Sequence, residues 1–401
     1  MFDVLPFETP LIDAPIALAT MLFGLVALAF LLERRFRWAE TVGASLLVIA
    51  FGALLSNLEV VPLSSAVYGI VTGPVTSLAI AWLLLSVDLT ALRTAGPRML
   101  GAFTLAAAAT AVGALTASWL LGGVLGEVTW KLAGVMTGTY SGGSLNFVSV
   151  GRALELPDSL FTAATASDNV MTALWMGVTL AAPLWWARFY PPAPPAPTHS
   201  RAAGDGKGAE DESEEGRVTA SLLAPVPLRL LDLALLGTLG LALLWLAETV
   251  AAWTPSVPSV IWLTTLALAV GQIPVVQRLD GALHLGTLAL NLFFVVIGIG
   301  SRVSEILTVG LEVFWYTALV VVVHGLLIYG VGKLLRFDVL TLSIASQAAV
   351  GGPSTALAVG VARGREDLAL PGVMVGLLGY AVGTYLGLGV AALVARMMGV
   401  G

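Results

Sequence analysis

The sequence predicts an all-α polytopic membrane protein built from two inverted repeats, with about ten transmembrane helices and two further interrupted or re-entrant helices. Three observations carry this. The 401-residue chain is 58% hydrophobic and only 11% charged, where a soluble domain carries about 25% charged residues. Apolar windows long enough to cross a bilayer recur along it. Two Gly-Gly segments occupy the same place in its two halves.

With a mean hydropathy of +0.93, the chain has too little polar surface to cover itself in water. It has no cysteine, which excludes disulfides, thiol chemistry and Cys-ligated metals. The histidines His199, His284 and His324 show no metal-ligand spacing. The N-terminus is acidic and contains proline, with no basic n-region and no small-residue cleavage site, so no signal peptide is expected.

A hydrocarbon core of about 30 Å needs about 20 apolar residues per helix. In the first half such spans are Ala14 to Leu32, Thr41 to Leu58, Val67 to Leu89, Met99 to Leu121 and Ser159 to Trp186. In the second they are Leu230 to Val250, Val257 to Val276, Leu285 to Ser301, Leu311 to Leu334 and Pro371 to Ala395. The stretches Trp130 to Gly151 and Val339 to Val361 differ: they are rich in Gly, Ser, Thr and Asn or Gln. Trp82, Trp185, Trp186 and Trp253 read as interface anchors. The chain thus divides into a first repeat over 1–186, a linker over 187–227 and a second repeat over 228–401. The linker begins Pro-rich and turns acidic and Gly-rich, a composition that cannot bury a core and predicts a disordered tether.

The two odd segments match. Gly142-Gly143 and Gly351-Gly352 are each followed by six residues and then Val-Gly, after four spans and before one. Interrupted segments in corresponding positions point to a transporter site. The distribution of basic residues decides whether they cross. The Arg34-Arg35-Phe36-Arg37 run places the first loop in the cytoplasm and the N-terminus outside. If both segments are re-entrant, four of the 19 basic residues lie outside, Lys131, Arg152, Arg302 and Arg396, and the other fifteen lie inside with the linker. If both cross, the bias disappears. The re-entrant, inverted arrangement is therefore expected, in a bacterial inner membrane.

Non-helical backbone survives in a membrane only where protein or a water-filled cavity satisfies it. Glycine permits the turn and lets a ligand approach. Pro353 suits a new helix start, and a freed helix N-terminus favours an anionic group. The substrate-binding candidates are Thr139, Tyr140, Ser141, Gly142, Gly143, Ser144 and Asn146 in the first segment, with Gln347, Gly351, Gly352, Pro353, Ser354 and Thr355 in the second. The competing reading of such residues is tight helix packing.

Asp168 and Asn169 lie near the middle of their span. A mid-membrane acid is costly and usually marks an ion or proton path; the alternative is an interhelical hydrogen bond. The corresponding stretch of the second half, which includes Thr384, has no acid. His324 reads equally as a proton relay or a satisfied core histidine. Asn291 reads as an interhelical hydrogen bond. Asp168, Asn169, His324 and Thr384 are the ion- or proton-coupling candidates.

Thr137–Ser144, Ser167-Asp168-Asn169, Gly351–Thr355 and Leu378–Thr384 resemble the YjcL-like membrane protein family over nearly the whole chain. That family is grouped with the cation:proton antiporter and anion transporter superfamily. The resemblance implies a sodium:proton antiporter-like or bile-acid-carrier-like architecture, with two interrupted helices meeting near the midplane and a second domain that often mediates dimerisation. Bacterial citrate and glutamate carriers have hairpins with Gly-Gly-x-Gly, whose last glycine is missing here. Sodium:proton antiporters carry an acidic pair or Asn-Asp where this chain has Asp168-Asn169.

The expected function is secondary transport of a small, anionic organic solute coupled to Na⁺ or H⁺. The alternatives are a monovalent cation:proton antiporter centred on Asp168 and, more distantly, a non-transporting scaffold or sensor. No enzyme motif, nucleotide-binding loop or nucleic-acid-binding patch is present, and no cofactor beyond a bound Na⁺ or H⁺ is expected. The expected partners are the solute or ion, the lipid bilayer and a second copy of the chain.

Overall fold

Proline and glycine set where the helices begin and break. In the computed structural model α1 (Pro15–Arg35) starts on a proline whose missing N–H would be unpaired there anyway. It is followed by α2 (Ala44–Asn57) and α3 (Ala66–Leu85). Gly73 and Pro74 interrupt α3 with a wide turn over Val71–Val75. Then come α4 (Gly96–Leu125), α5 (Thr129–Ala153) and α6 (Asp158–Trp186). The second half holds α7 (Leu230–Trp253), α8 (Ser259–Gly271), α9 (Ala282–Gly300), α10 (Val303–Leu334), α11 (Val339–Val350), α12 (Pro353–Ala362) and α13 (Glu366–Met398).

The structure describes residues 10–36, 39, 43–193, 229–255, 257–300 and 303–400, without the side chains of Ala91, Thr94, 303–309, Ser354 and Glu366. Among the described residues it is all-helical, and eight segments are long and apolar enough to cross a membrane. The α2 and α8 helices are apolar but shorter, at 14 and 13 residues. The α10 helix starts earlier than its expected span, at Val303, and α3 stops at Leu85 before the expected Leu89.

The α5 segment is not one rod. Gly142 and Gly143 leave helical angles, and the chain doubles back. A Cβ on Gly138 would lie 3.1 Å from Val150, and one on Gly134 would lie 2.8 Å from Leu154. At the open end Lys131 Nζ donates to the Glu155 carbonyl at 3.0 Å. The α11–α12 pair makes a second hairpin. Its two arms meet through Ile344 and Ala356, which both face Gly372 of α13. At its open end Asp338 acts electrostatically on Arg365, which also forms an ion pair with Asp367 at 2.8 Å. The two turns share one backbone solution: φ 73°, ψ −170° at Gly143 and φ 84°, ψ −169° at Gly352. Such left-handed angles favour glycine.

The helices pack in two groups. One contains α1–α3 and α7–α9, the first three elements of each half. The other contains α4–α6 and α10–α13. Lipid removes the hydrophobic drive between helices, so close approach must hold them. The closest packing joins the first arm of α5 to α13. Gly134, Gly138 and Gly142 lie backbone to backbone against Gly387, Gly383 and Gly379, and a Cβ on Gly134 would lie 3.0 Å from the Gly387 carbonyl.

Two expectations change. Trp82 is not simply an interface anchor, because its Nε1 donates to the Leu236 carbonyl of α7 at 2.8 Å. The linker region begins with a placed stretch: Ala187–Phe189 form a short turn and Tyr190 donates to the Tyr329 carbonyl at 2.8 Å. Residues 194–228, with most of the expected disordered tether, lie outside the described residues.

Candidate functional site

Both hairpin tips end on one side chain. A Cβ on Gly143 would lie 3.4 Å from Cε1 of Tyr380, and one on Gly352 would lie 3.8 Å from its hydroxyl. Pro353 opens α12 immediately after the second turn. Thr355 Oγ1 caps that turn through the Gly352 carbonyl at 3.0 Å and the Gln347 carbonyl at 3.2 Å. The side chain of Ser354 lies outside the described residues.

Asp168 and Asn169 stand beside the first tip. They line a cavity of about 280 Å³ with Ser144 and Phe147 of α5, Ser45 of α2, Thr287 and Asn291 of α9, and Glu33 of α1. Ser144 is exposed into it and Asp168 is half-buried. Thr172 Oγ1 donates to the Asp168 carboxylate at 3.2 Å, and Asn169 Nδ2 donates to the Thr165 carbonyl at 2.9 Å. Across the cavity Ser45 donates to Asn291 Oδ1 at 3.4 Å. The lining therefore brings two carboxylates, two amides and several hydroxyls together, without a Lys or Arg among the described residues. It also spans the boundary between the two helix groups.

The other candidates are more deeply placed. Asn146 is fully buried: its Nδ2 donates to the carbonyls of Gly142 at 2.8 Å and Gly379 at 3.1 Å, and its Oδ1 accepts from Thr384 at 2.7 Å. Asn146 and Thr384 thus tie the first tip to α13. Gln347 accepts from Thr179 at 3.2 Å, while its Nε2 has no partner. The buried hydroxyls of Thr139 and Ser141 are also unpartnered. The Tyr140 hydroxyl interacts with the Asp168 carboxylate but does not close a hydrogen bond. Unpaired buried polar groups are uncommon and point to an occupant or a second arrangement.

His324 lies away from the Asp168 cavity, in a chain of bonds. Trp175 Nε1 donates to Ser346 Oγ at 2.9 Å, and Ser346 Oγ meets His324 Nε2 at 2.7 Å. On the other ring face, Nδ1 meets Thr110 Oγ1 at 2.9 Å, which bonds the Tyr140 carbonyl at 2.9 Å. With the one Thr110 hydroxyl hydrogen given to a carbonyl, the Thr110 oxygen accepts from Nδ1–H, and the neutral ring's Nε2 accepts from the Ser346 hydroxyl. His324 therefore bridges the first arm of each hairpin.

A second cavity, of about 450 Å³, lies at the open end of the first hairpin. There Arg152 donates to the Gly73 carbonyl at 3.3 Å and Ser77 Oγ at 3.2 Å. The break in α3 frees the acceptor that Arg152 uses. This contact also joins the two helix groups.

Sequence reasoning brought Asp168, Asn169, Ser144 and the paired glycines forward. It passed over Tyr380, Ser45, Thr287, Glu33 and Arg152. Only Tyr380 carries a local signal, since it sits among spaced glycines. The others act through contacts between distant segments.

A family profile described as a protein of unknown function, DUF819, matches residues 20–397. The chain is also 30% identical over 372 residues to the "Uncharacterized membrane protein YjcL" of Bacillus subtilis (strain 168), covering 89% of this chain and 91% of that protein. The chain belongs to the DUF819 family of multi-pass membrane proteins.

Proposed function

We propose that this chain is a secondary active transporter whose driving cation, Na⁺ or H⁺, binds at Asp168. The carrying observation is the meeting of two backward-turning hairpins on Tyr380, next to a cavity into which Asp168 and Ser144 project. Irregular backbone at membrane depth belongs where it lines a cavity, and discontinuous segments supply transporter ion sites.

The hairpins open at opposite ends of their bundle in this reading, so the two halves form inverted repeats. The N-terminus lies outside the cell membrane and the 187–227 segment inside, as the basic residues suggest. The group formed by α1–α3 and α7–α9 serves as a frame and as the surface for a homodimer. The hairpin group moves against it. In the present state the Arg152 contact closes one side, and the Asp168 cavity is the open pocket on the other. Transport requires Arg152 to exchange the Gly73 carbonyl for another partner.

A small anionic organic solute would bind where the tips meet, using the unpartnered groups of Ser141 and Gln347 and the helix start at Pro353. The second reading, a monovalent cation:proton antiporter, is favoured by Asp168 in the cavity lining, beside which no Lys or Arg stands among the described residues. Both readings share Asp168, and neither assigns a catalytic step.

Proteoliposomes test the proposal. An imposed Na⁺ or proton gradient should drive flux of a counter-ion, or of a carboxylate from a defined panel, and Asp168→Asn should reduce that flux about 10- to 100-fold, as expected for losing a charged hydrogen-bonding partner. Equal flux in Asp168→Asn would reject the site. Gradient-driven carboxylate uptake selects the solute carrier, and cation–proton exchange without solute selects the antiporter.

A further inference from the structure

The outer face of α6 and α10 carries a groove that the transport reading does not use. It encloses about 490 Å³. Trp175 and Trp186 form one wall, Tyr329 another, and Phe189 and Tyr190 close one end. The wall is held in place by the Tyr190 hydroxyl, which donates to the Tyr329 carbonyl at 2.8 Å. Trp186 and Tyr329 pack edge to face at 5.0 Å. Nothing lies within 4 Å of a Cβ on Gly330, so the floor there is open. Leu326 beside it is 70% exposed.

An acyl chain of any lipid fits such a wall. The mouth is selective. Two exposed cations stand by the groove's aromatic end: Lys333, which lines the groove near the end of α10, and Arg188, in the turn after α6. Their positions are linked by one ring: the Arg188 guanidinium lies 4.6 Å from the Phe189 centroid and the Lys333 ammonium 5.5 Å from it. Lys333 is also 6.0 Å from the Tyr190 ring. Its ammonium thus stands by the aromatic end of the groove. Among the described residues no carboxylate lines the groove. Exposed Trp185 and Trp186 mark the same level as a membrane interface.

We propose that this groove binds one anionic phospholipid, with an acyl chain along the aromatic wall and the phosphate between Arg188 and Lys333. A zwitterionic headgroup brings its own ammonium to the two cations, whereas an anionic headgroup leaves its charge for them. Basic pockets between membrane helices select headgroups in this way.

Native mass spectrometry of the detergent-purified full chain, with equimolar phosphatidylglycerol and phosphatidylcholine, tests this. The expected result is a one-lipid complex favouring phosphatidylglycerol on the order of tenfold. Arg188→Gln with Lys333→Gln should abolish the preference, while Arg34→Gln with Arg93→Gln, the same loss of charge elsewhere, should keep it. Gly330→Leu should weaken binding of both lipids by filling the open floor. Equal binding of the two lipids by the wild-type chain would overturn the proposal, as would a preference that survives Arg188→Gln with Lys333→Gln or one that falls equally in the control pair. All four charged positions are exposed, so the variants should fold.

Discussion

The α6 and α13 helices hold equivalent places, each following the hairpin of its own half, yet they use different chemistry. The α13 helix is built for contact. Its glycines at 379, 383 and 387 let the α5 backbone lie against it, and Thr384 locks Asn146. The α6 helix is built from polar and bulky groups. It turns Asp168 toward a cavity, and it holds the second hairpin through Trp175 to Ser346 and Thr179 to Gln347. The shared backbone at Gly143 and Gly352 shows what the two hairpins have in common, which is the turn. The contrast between the two helices shows what differs, which is the side chain beside the turn. One half supplies a charge, and the other supplies a close-packed support for it.

That contrast can be broken most severely at the glycine ladder. Gly383→Leu should destabilise the protein by about 3 kcal/mol, the upper end of ordinary overpacking, because a Cβ there already meets the Gly138 carbonyl and Asn146. Thermal unfolding in detergent measures this. Gly177→Leu on α6, where a Cβ meets nothing within 4 Å, should leave the midpoint unchanged. Equal effects would dissolve the distinction between the helices.

A smaller effect is expected from the bridge between hairpins. His324→Ala removes one partner each from Thr110 and Ser346 and should cost about 2 kcal/mol. Its thermal shift should be the same from pH 6 to pH 8 if the imidazole is a fixed bridge. A loss of stability that grows across this range would favour the proton-relay reading instead. Thr384→Val, nearly isosteric, removes one bond to Asn146 and should cost about 1 kcal/mol. The weakest contact is at the open end of the second hairpin. Asp367→Asn, which removes a partly exposed ion pair, should change stability by less than about 1 kcal/mol. A larger loss would mean that the open end, and not the tip, holds that hairpin.

Much of this was legible in the residues for a physical reason. A Gly-Gly break inside an apolar stretch is conspicuous because only glycine takes the left-handed angles found at Gly143 and Gly352. Asp168 is conspicuous because an acid is costly in mid-span. The glycines of α13 are visible at four-residue spacing, but their partners on α5 are not, since nothing local joins residues more than 200 positions apart. The cavity was hidden for the same reason. Ser45, Asn291 and Glu33 are ordinary residues until the fold brings them to Asp168. Asn146 reads from sequence as a ligand-facing group, yet its amide is engaged at both ends by Gly142, Gly379 and Thr384.

The most direct test of the central claim is the thermal stability of the purified protein across Na⁺, Li⁺, K⁺ and pH, compared between the wild-type chain and Asp168→Asn. A cation that binds only the folded state raises the midpoint. The account predicts a rise with Na⁺ or Li⁺, or a dependence on pH, that Asp168→Asn removes while the protein stays folded. A cation-dependent rise of the same size in Asp168→Asn would place the ion elsewhere and contradict the account.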